Sequence, residues 1–295
     1  MKAGNHAIAI TGKFPRVARL RDEWYDFADD PAPLISKVKE LPARANLFTF
    51  LQEVHELEPK HTFHLEHESV SVLPITTYDH WWTKQINDKT RNMIRKAGKS
   101  GVDLRPTEAD DTFIDGVVAI YNETPVRQGK RFWHYGKEFA TIKQELITFF
   151  DRSKFVGAYH GNELIGFFKL TRNANSASLM QIISKMAHRN KAPNNALLAK
   201  AVEMCAESHI PFLQYGVWSQ GGLGEYKVRH GFVRFDVPRY YVPLDAIGRF
   251  ALTCGLHKDL PSLIPASLRT RASALRGAWY SYKQEKWPFR KGAVA

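Results

Sequence analysis

The chain has 295 residues, 44% of them hydrophobic, enough to core one large domain or two modest ones, so it reads as globular and not disordered. With 42 basic and 30 acidic residues its formal charge is +12, which calls for an anionic partner: RNA, a nucleotide-linked donor or an acidic membrane surface. Cys205 and Cys254 give neither a disulfide framework nor a metal-ligand spacing, no apolar run approaches the roughly 20 residues of a membrane helix, and the N-terminus lacks a signal-peptide core, so the expectation is a cytoplasmic protein.

Residues 7–10 alternate as a short strand. Val17, Leu20, Trp24 and Phe27 are spaced for a helix over 17–27, ended by Asp29-Asp30-Pro31. Residues 33–40 and 46–55 are predicted as short helices, and 61–75 as extended with an apolar end at Val70, Val72, Leu73 and Ile75. His61, His64 and His67 invite a metal site. On a strand, however, His64 faces away from the other two, so no metal centre is expected.

A helix is predicted over 78–100, with Arg91, Arg95 and Lys99 at i, i+4 and i+8 on one cationic face. That face suits a phosphate or an RNA backbone; as plain structure it is a solvated side with Ile94 and Ala97 turned to the core. A strand over 102–105 and a helix over 107–121 follow, with Asp110-Asp111 near the positive end of the helix. The loop 122–139 gathers Glu123, Arg127, Arg131, Phe132, Trp133, His134 and Tyr135 around Gly129 and Gly136. Such a mixture of rings and charge is suited to closing over a ligand, or to docking the loop on a sheet by its aromatics.

Residues 137–150 form an amphipathic helix, and 154–159 and 164–170 are strands joined at His160-Gly161-Asn162-Glu163, a tight hairpin signal. A strand over 176–185 runs into a basic loop carrying His188, Arg189 and Lys191, then a helix over 194–208 with Leu197, Leu198, Ala201, Val202 and Cys205 as its buried stripe. Strand, basic loop and helix start make a physically sound place for phosphate. Residues 211–217 read as a buried strand, Gly221-Gly222 break the chain, and 223–230 form a short helix stopped by Gly231. Within it sit Tyr226 and Lys227, an ammonium projecting from the first turns of a helix between strands, where a developing negative charge can be held. Strands over 233–237 and 240–244 straddle Pro238, which suits a bend or an edge. Helical pieces over 247–254 and 262–277 and the aromatic-basic end AWYSYKQEKWPFRK close the chain; from 246 on, nine basic residues face Asp259 and Glu285.

The succession of strand, Gly-rich loop, Tyr226-Lys227, Gly231-Phe232 and the strand Pro238-Arg239-Tyr240-Tyr241-Val242-Pro243-Leu244 resembles the C-terminal half of the Fem-type peptidyltransferases, a branch of the GNAT acyltransferase superfamily. Arg91-Asn92, Ile94-Arg95-Lys96-Ala97 and Gly101-Val102 are similar to the segment that joins the two half-domains of that family. The resemblance runs from residue 88 to about residue 244. It implies an α/β fold with a mixed, mostly antiparallel twisted sheet and helices on both faces. The organisation expected is a truncated counterpart of the first half-domain over 1–87 and an acyltransferase domain over 88–245, with a helical basic arm over 246–295 that lies outside the resemblance.

In the Fem-type family a Phe-Lys pair at this position is taken to stabilise the oxyanion of acyl transfer, which implies catalytic roles for Lys227 and for Tyr226 in place of the Phe. Ordinary GNAT acetyltransferases commonly hold a Tyr where this chain has Lys227, so the spacing favours the Fem-type branch. The attacking amine must lose a proton, and Glu123 and His134 are the candidate bases. Because the loop between the first two helices lies beside the acceptor in the GNAT fold, the resemblance assigns Arg127, Arg131, Trp133 and Tyr135 to acceptor binding. GNAT enzymes bind the pyrophosphate of coenzyme A through Arg-x-x-Gly-x-Gly/Ala. Here that loop reads Arg189-Asn190-Lys191-Ala192-Pro193-Asn194-Asn195, which makes Arg189, Lys191, Asn194 and Asn195 the expected donor-phosphate ligands and, lacking glycine, weighs against coenzyme A.

The activity expected is transfer of an acyl or aminoacyl group to a primary amine by direct attack, without metal or bound cofactor. The donor is expected to be acyl-CoA, an acyl carrier protein or an aminoacyl-tRNA, the acceptor a small-molecule or peptide amine, and the basic C-terminal arm is placed to touch an acidic membrane surface. Cys205 and His209 lie four apart, but Cys205 belongs to a buried stripe, so no covalent intermediate is expected. The alternative is a non-catalytic module of the same fold that binds RNA or a membrane surface through Arg91, Arg95, Lys99 and the tail.

Overall fold

The computed structural model describes residues 1–28, 30–127 and 129–258; the helix expected over 262–277 and the aromatic-basic end lie outside the described residues. The first elements are β1 (Lys2–Ala3), β2 (His6–Thr11), β3 (Val17–Leu20), α1 (Pro31–Lys39), β4 (Leu47–Leu51) and β5 (His64–Pro74). They are followed by α2 (Tyr78–His80) running into a π-helical turn (Trp81–Gln85), α3 (Asp88–Lys99), β6 (Val102–Thr107), α4 (Asp111–Tyr121), the hairpin β7 (Val126–Arg127) and β8 (Lys130–Arg131), and α5 (Phe139–Leu146). The last are β9 (Ser153–His160), β10 (Glu163–Arg172), β11 (Ser176–Ser184), α6 (Pro193–Glu207), β12 (Phe212–Val217), α7 (Gly221–Arg229), β13 (Val233–Pro243) and α8 (Ala246–Thr253). The class is α/β with mixed, mostly antiparallel strands, as the sequence implied.

The described residues divide into two compact units: Met1–Pro74 with Asn173–Ser178 and 212–258, and Ile75–Arg172 with Leu179–Pro211. In the first unit the strand order is β1-β2-β3-β4-β13-β5-β12. β3 and β4 pair in parallel, while β13 pairs antiparallel with both β4 and β5. Ile8, Ala18, Leu20, Leu34, Val38, Phe48, Phe50 and Tyr240 are buried together as its core. Each leucine, isoleucine, valine or phenylalanine among them contributes about 1.5–3 kcal/mol when fully buried.

Three helix expectations differ from what forms. Residues 46–55 contain β4, whose five residues Leu-Phe-Thr-Phe-Leu are all buried, because a continuous apolar run flanked by strands on both sides has no polar face to alternate with. Over 17–27 only β3 forms, with Ala18 and Leu20 inward, so strand pairing overrides the helical spacing of Val17, Leu20 and Trp24. The helix over 78–100 breaks at Ile86, and Asn87 starts α3 afresh by accepting from the Thr90 amide at 3.0 Å. Pro238, in turn, lies inside a continuous β13. Its carbonyl accepts from the Gln52 amide on the side where β4 has just ended, so its missing N–H faces a locally open edge.

β12 pairs with β5 from Phe212↔Pro74 to Gln214↔Val72, then slips before Val217↔Val70. Gly216, at φ +59°, supplies the left-handed residue of this bulge. β11 joins β12 in parallel over Ser176–Ser178 only.

In the second unit the strand order is β11-β10-β9-β6. Asp110 caps α4 by accepting from the Phe113 amide at 2.8 Å. The stripe of Phe113, Ile114, Val117, Ile120 and Tyr121 then packs with Ile142 and Leu146 of α5 on Phe155, Leu164 and Phe167 of the sheet. Among the described residues no helix is long and apolar enough to cross a membrane.

Candidate active site

Lys227 and Tyr226 belong to the first unit, and the aromatic loop and the basic loop before α6 belong to the second. α7 begins without a side-chain cap, and Gly224 lets it start tightly: a Cβ there would meet the Ser219 carbonyl oxygen at 2.1 Å. Lys227 stands in the last turn of α7, not the first, but helical side chains lean toward the N-terminus and its ammonium reaches back to the residues that precede the helix. Nζ donates to Val217 O at 2.8 Å and to Ser71 Oγ and Ser219 Oγ, each at 3.2 Å, and sits 4.7 Å from the centre of the Tyr215 ring. Ser71 Oγ and Ser219 Oγ also donate to Val217 O, both at 3.1 Å. The knot is closed: the ammonium has three hydrogens and three acceptors.

Lys227 is only 2% exposed, and no carboxylate pairs with it among the described residues. Burial alone lowers its pKa from 10.5 to about 8. Around it, burial raises Tyr215 to about 12, with Tyr25 adding to the rise, and holds the Tyr226 phenol well above its ordinary value. The Tyr226 ring lies 4.2 Å from the ring of His230, whose pKa burial lowers to about 4. A buried cation with no carboxylate partner among the described residues, 4.7 Å from the Tyr215 ring, is a candidate functional group. Ser71, Ser219, Tyr215 and the Val217 carbonyl were not read from the sequence. Ser71 lies 156 residues from Lys227, and only the tertiary fold could have pointed to it.

The aromatic loop is pinned from inside. Glu123 accepts from the Met186 and Ala187 amides at 2.6 and 2.8 Å and pairs with Arg127 at 3.3 Å. Arg127 donates to the carbonyls of Ile120 and Ser184, both at 2.9 Å, and stacks 4.1 Å from the Phe132 ring. His134 is buried against Tyr121 at 4.2 Å with Lys137 Nζ 3.3 Å from its Nδ1; burial first, then Lys137 and Arg127, push its pKa down to about 3. The outward groups are Trp133, 70% exposed with Lys137 Nζ 3.7 Å from its ring, Arg131, also exposed, and the half-buried Tyr135.

At the start of α6, Ala192 at φ +58° and Pro193 at the first helical position set the turn, and no side chain caps the helix. Arg189 is exposed and Lys191 half-buried, neither in an ion pair among the described residues, whereas the neighbouring Lys185 and His188 are held by Glu163. Asn194 and Asn195 are half-buried in the first turn. An uncapped helix start beside two unpaired cations favours an anion.

The order of strands and helices, with β11 and β12 parallel over three residue pairs and a basic loop before α6, defines a GNAT/Fem-like fold. No protein-family model and no curated protein matches the sequence. Among solved structures the chain is similar to FemX (12% identity, TM-score 0.57, covering 80% of this chain and 83% of that one). It is also similar to L-PGS from Bacillus licheniformis (11% identity, TM-score 0.54, covering 87% and 82%). A third is the C-terminal domain of a protein described as a lysylphosphatidylglycerol synthetase from Agrobacterium fabrum (11% identity, TM-score 0.56, covering 83% of each chain). At these identities the likeness establishes the fold.

Proposed function

We propose that the protein is an acyltransferase that moves an acyl or aminoacyl group from an anionic donor to a primary amine by direct attack. The observation that carries this reading is the Lys227 ammonium, buried at the bulge of β12 with no carboxylate to neutralise it among the described residues. As the amine nitrogen bonds to the carbonyl carbon, the carbonyl oxygen takes the electron pair, and Lys227 offsets that charge by exchanging one hydroxyl acceptor for the oxyanion. Ser71 and Ser219 can release it because each keeps a bond to Val217 O. Collapse of the intermediate expels the donor oxygen or sulfur, which leaves with the proton shed by the nitrogen. Tyr226 packs its ring on His230, the C-cap of the same helix, and so holds the last turn that carries Lys227.

Glu123 and Arg127 are assigned to holding the loop, since the Glu123 carboxylate and the two terminal nitrogens of Arg127 are engaged with backbone and with each other, and His134 at about 3 is a poor match for a base working near neutral pH. Trp133, Arg131 and Tyr135, which face outward, are assigned to the acceptor, and Arg189, Lys191 and the start of α6 to donor phosphates. Absent glycines in that loop favour an aminoacyl-tRNA or acyl carrier protein over acyl-CoA.

The test is to incubate the full chain with aminoacyl-tRNA, acyl carrier protein and acyl-CoA donors and a set of primary amines, reading amide products by mass spectrometry. Amide from at least one donor, reduced about 10²–10³-fold in Lys227→Met, is expected. No product from any donor, with RNA binding that falls steeply with salt, favours the non-catalytic module. That reading draws on Lys89, Arg95, Lys96 and Lys99, all exposed on α3; Arg91 is turned away to the carbonyls of Trp82 and Ile86 and to Asp88.

A further inference from the structure

We propose that His64, Glu66 and His257 form a binding site for a first-row divalent cation, with Zn2+ the best fit. Local spacing does not join them: His257 lies 191 residues from Glu66, and the neighbouring His61, His64 and His67 alternate in direction along a strand. His64 and Glu66, two apart on β5, project from one face of the strand. The chain beyond α8 returns His257 to that face.

His257 Nε2 is 2.9 Å from Glu66 Oε1, His64 Nε2 is 3.7 Å from the same oxygen, and all three donor atoms lie within 4.8 Å of one another. A tetrahedral Zn2+ with bonds of about 2.0–2.1 Å holds its ligand atoms about 3.3 Å apart, so these separations bracket the requirement. Two imidazoles and one carboxylate are a donor set that suits zinc and its first-row neighbours better than calcium or magnesium.

The site is built with one fixed and one accessible side. The His257 side chain is 1% exposed, its ring 4.7 Å from that of Tyr241, and its buried Nδ1 has no hydrogen-bond partner among the described residues, where the polar hold on the ring is through Nε2. Tyr241 is also the cross-strand partner of His64, with ring centres 6.1 Å apart. His64, 42% exposed, stands at the mouth and gives an entry path and room for a solvent ligand. Lys258 Nζ lies 3.2 Å from Glu66 Oε1 but is 48% exposed, so it can swing into solvent when a cation takes the carboxylate. A bound ion would fasten the segment after α8 to β5.

The experiment is titration calorimetry of Zn2+ into tag-free, chelator-treated full-length protein, with Co2+ absorption as a coordination readout and melting temperature as a third; none depends on transfer activity. Expected are one ion per chain, visible Co2+ bands of a low-coordinate site, and a rise in melting temperature with Zn2+. His64→Ala and Glu66→Gln, at positions exposed or conservatively changed, should weaken binding at least about tenfold. His67→Ala, at an exposed position on the opposite face of the strand, should leave it unchanged. A dissociation constant weaker than about 1 mM, or binding that survives both His64→Ala and Glu66→Gln, would overturn the proposal.

Discussion

Lys169 and Lys227 both bury an ammonium, and they are housed differently. Lys169, with no exposed surface, donates to the carbonyls of Glu145 and Leu146 in the last turn of α5, and to the carbonyl and hydroxyl of Thr148 just beyond it. There the negative end of a helix is lined up to receive a cation, and the cation satisfies carbonyls that the helix leaves open. Lys227 instead faces one carbonyl, two hydroxyls and a ring, and that carbonyl already has two other donors. The first lysine is needed by its surroundings. The second is tolerated by them, which is the condition of a charge kept for an incoming partner.

Substitutions at the two sites should therefore part company. Lys169→Met strips the donor from three carbonyls, and at about 1–3 kcal/mol for each buried group left unsatisfied, partly offset by removal of a buried charge, unfolding free energy should fall by about 3 kcal/mol in urea titrations. A loss below about 1 kcal/mol would erase the contrast. Glu123→Ala tests whether the loop anchor resembles Lys169 or Lys227: losing two charge-assisted bonds to backbone amides should cost about 2 kcal/mol and raise the donor KM. A fall in kcat alone, with stability intact, would instead make Glu123 the base.

Lys227→Met should be the mildest for stability at pH 7, neutral or stabilising by up to about 2 kcal/mol, since a desolvated charge is removed and both serines still bond Val217 O. The pH dependence sharpens this. The folded pKa of Lys227, about 8, lies below the ordinary 10.5, so between those values the unfolded chain binds more protons and the wild type gains stability as pH rises. The advantage of Lys227→Met should accordingly shrink from pH 8 to 10.5, measured by denaturation at each pH; parallel curves would mean an unshifted lysine.

Much of this was legible in the residues. α6 with its stripe of Leu197, Leu198, Ala201, Val202 and Cys205, the Gly161 hairpin and the helix carrying Tyr226 and Lys227 each have local signals, and each formed where those signals lie. β3 and β4 did not, because pairing with distant strands decides them: Leu47 to Leu51 lie against residues 239–243 of β13. The candidate site divides the same way. Lys227 announced itself by spacing, whereas the serines that hold it, the backbone amides that hold Glu123 and the union of His257 with Glu66 exist only through contacts of long sequence separation.

The most direct test is to measure single-turnover amide formation and the urea midpoint side by side for wild type and Lys227→Met. The expected outcome is a rate lower by about 10²–10³-fold with a midpoint no lower than wild type. A rate within about threefold of wild type, under conditions where chemistry limits turnover, would contradict the assignment of Lys227 as the charge that meets the oxyanion.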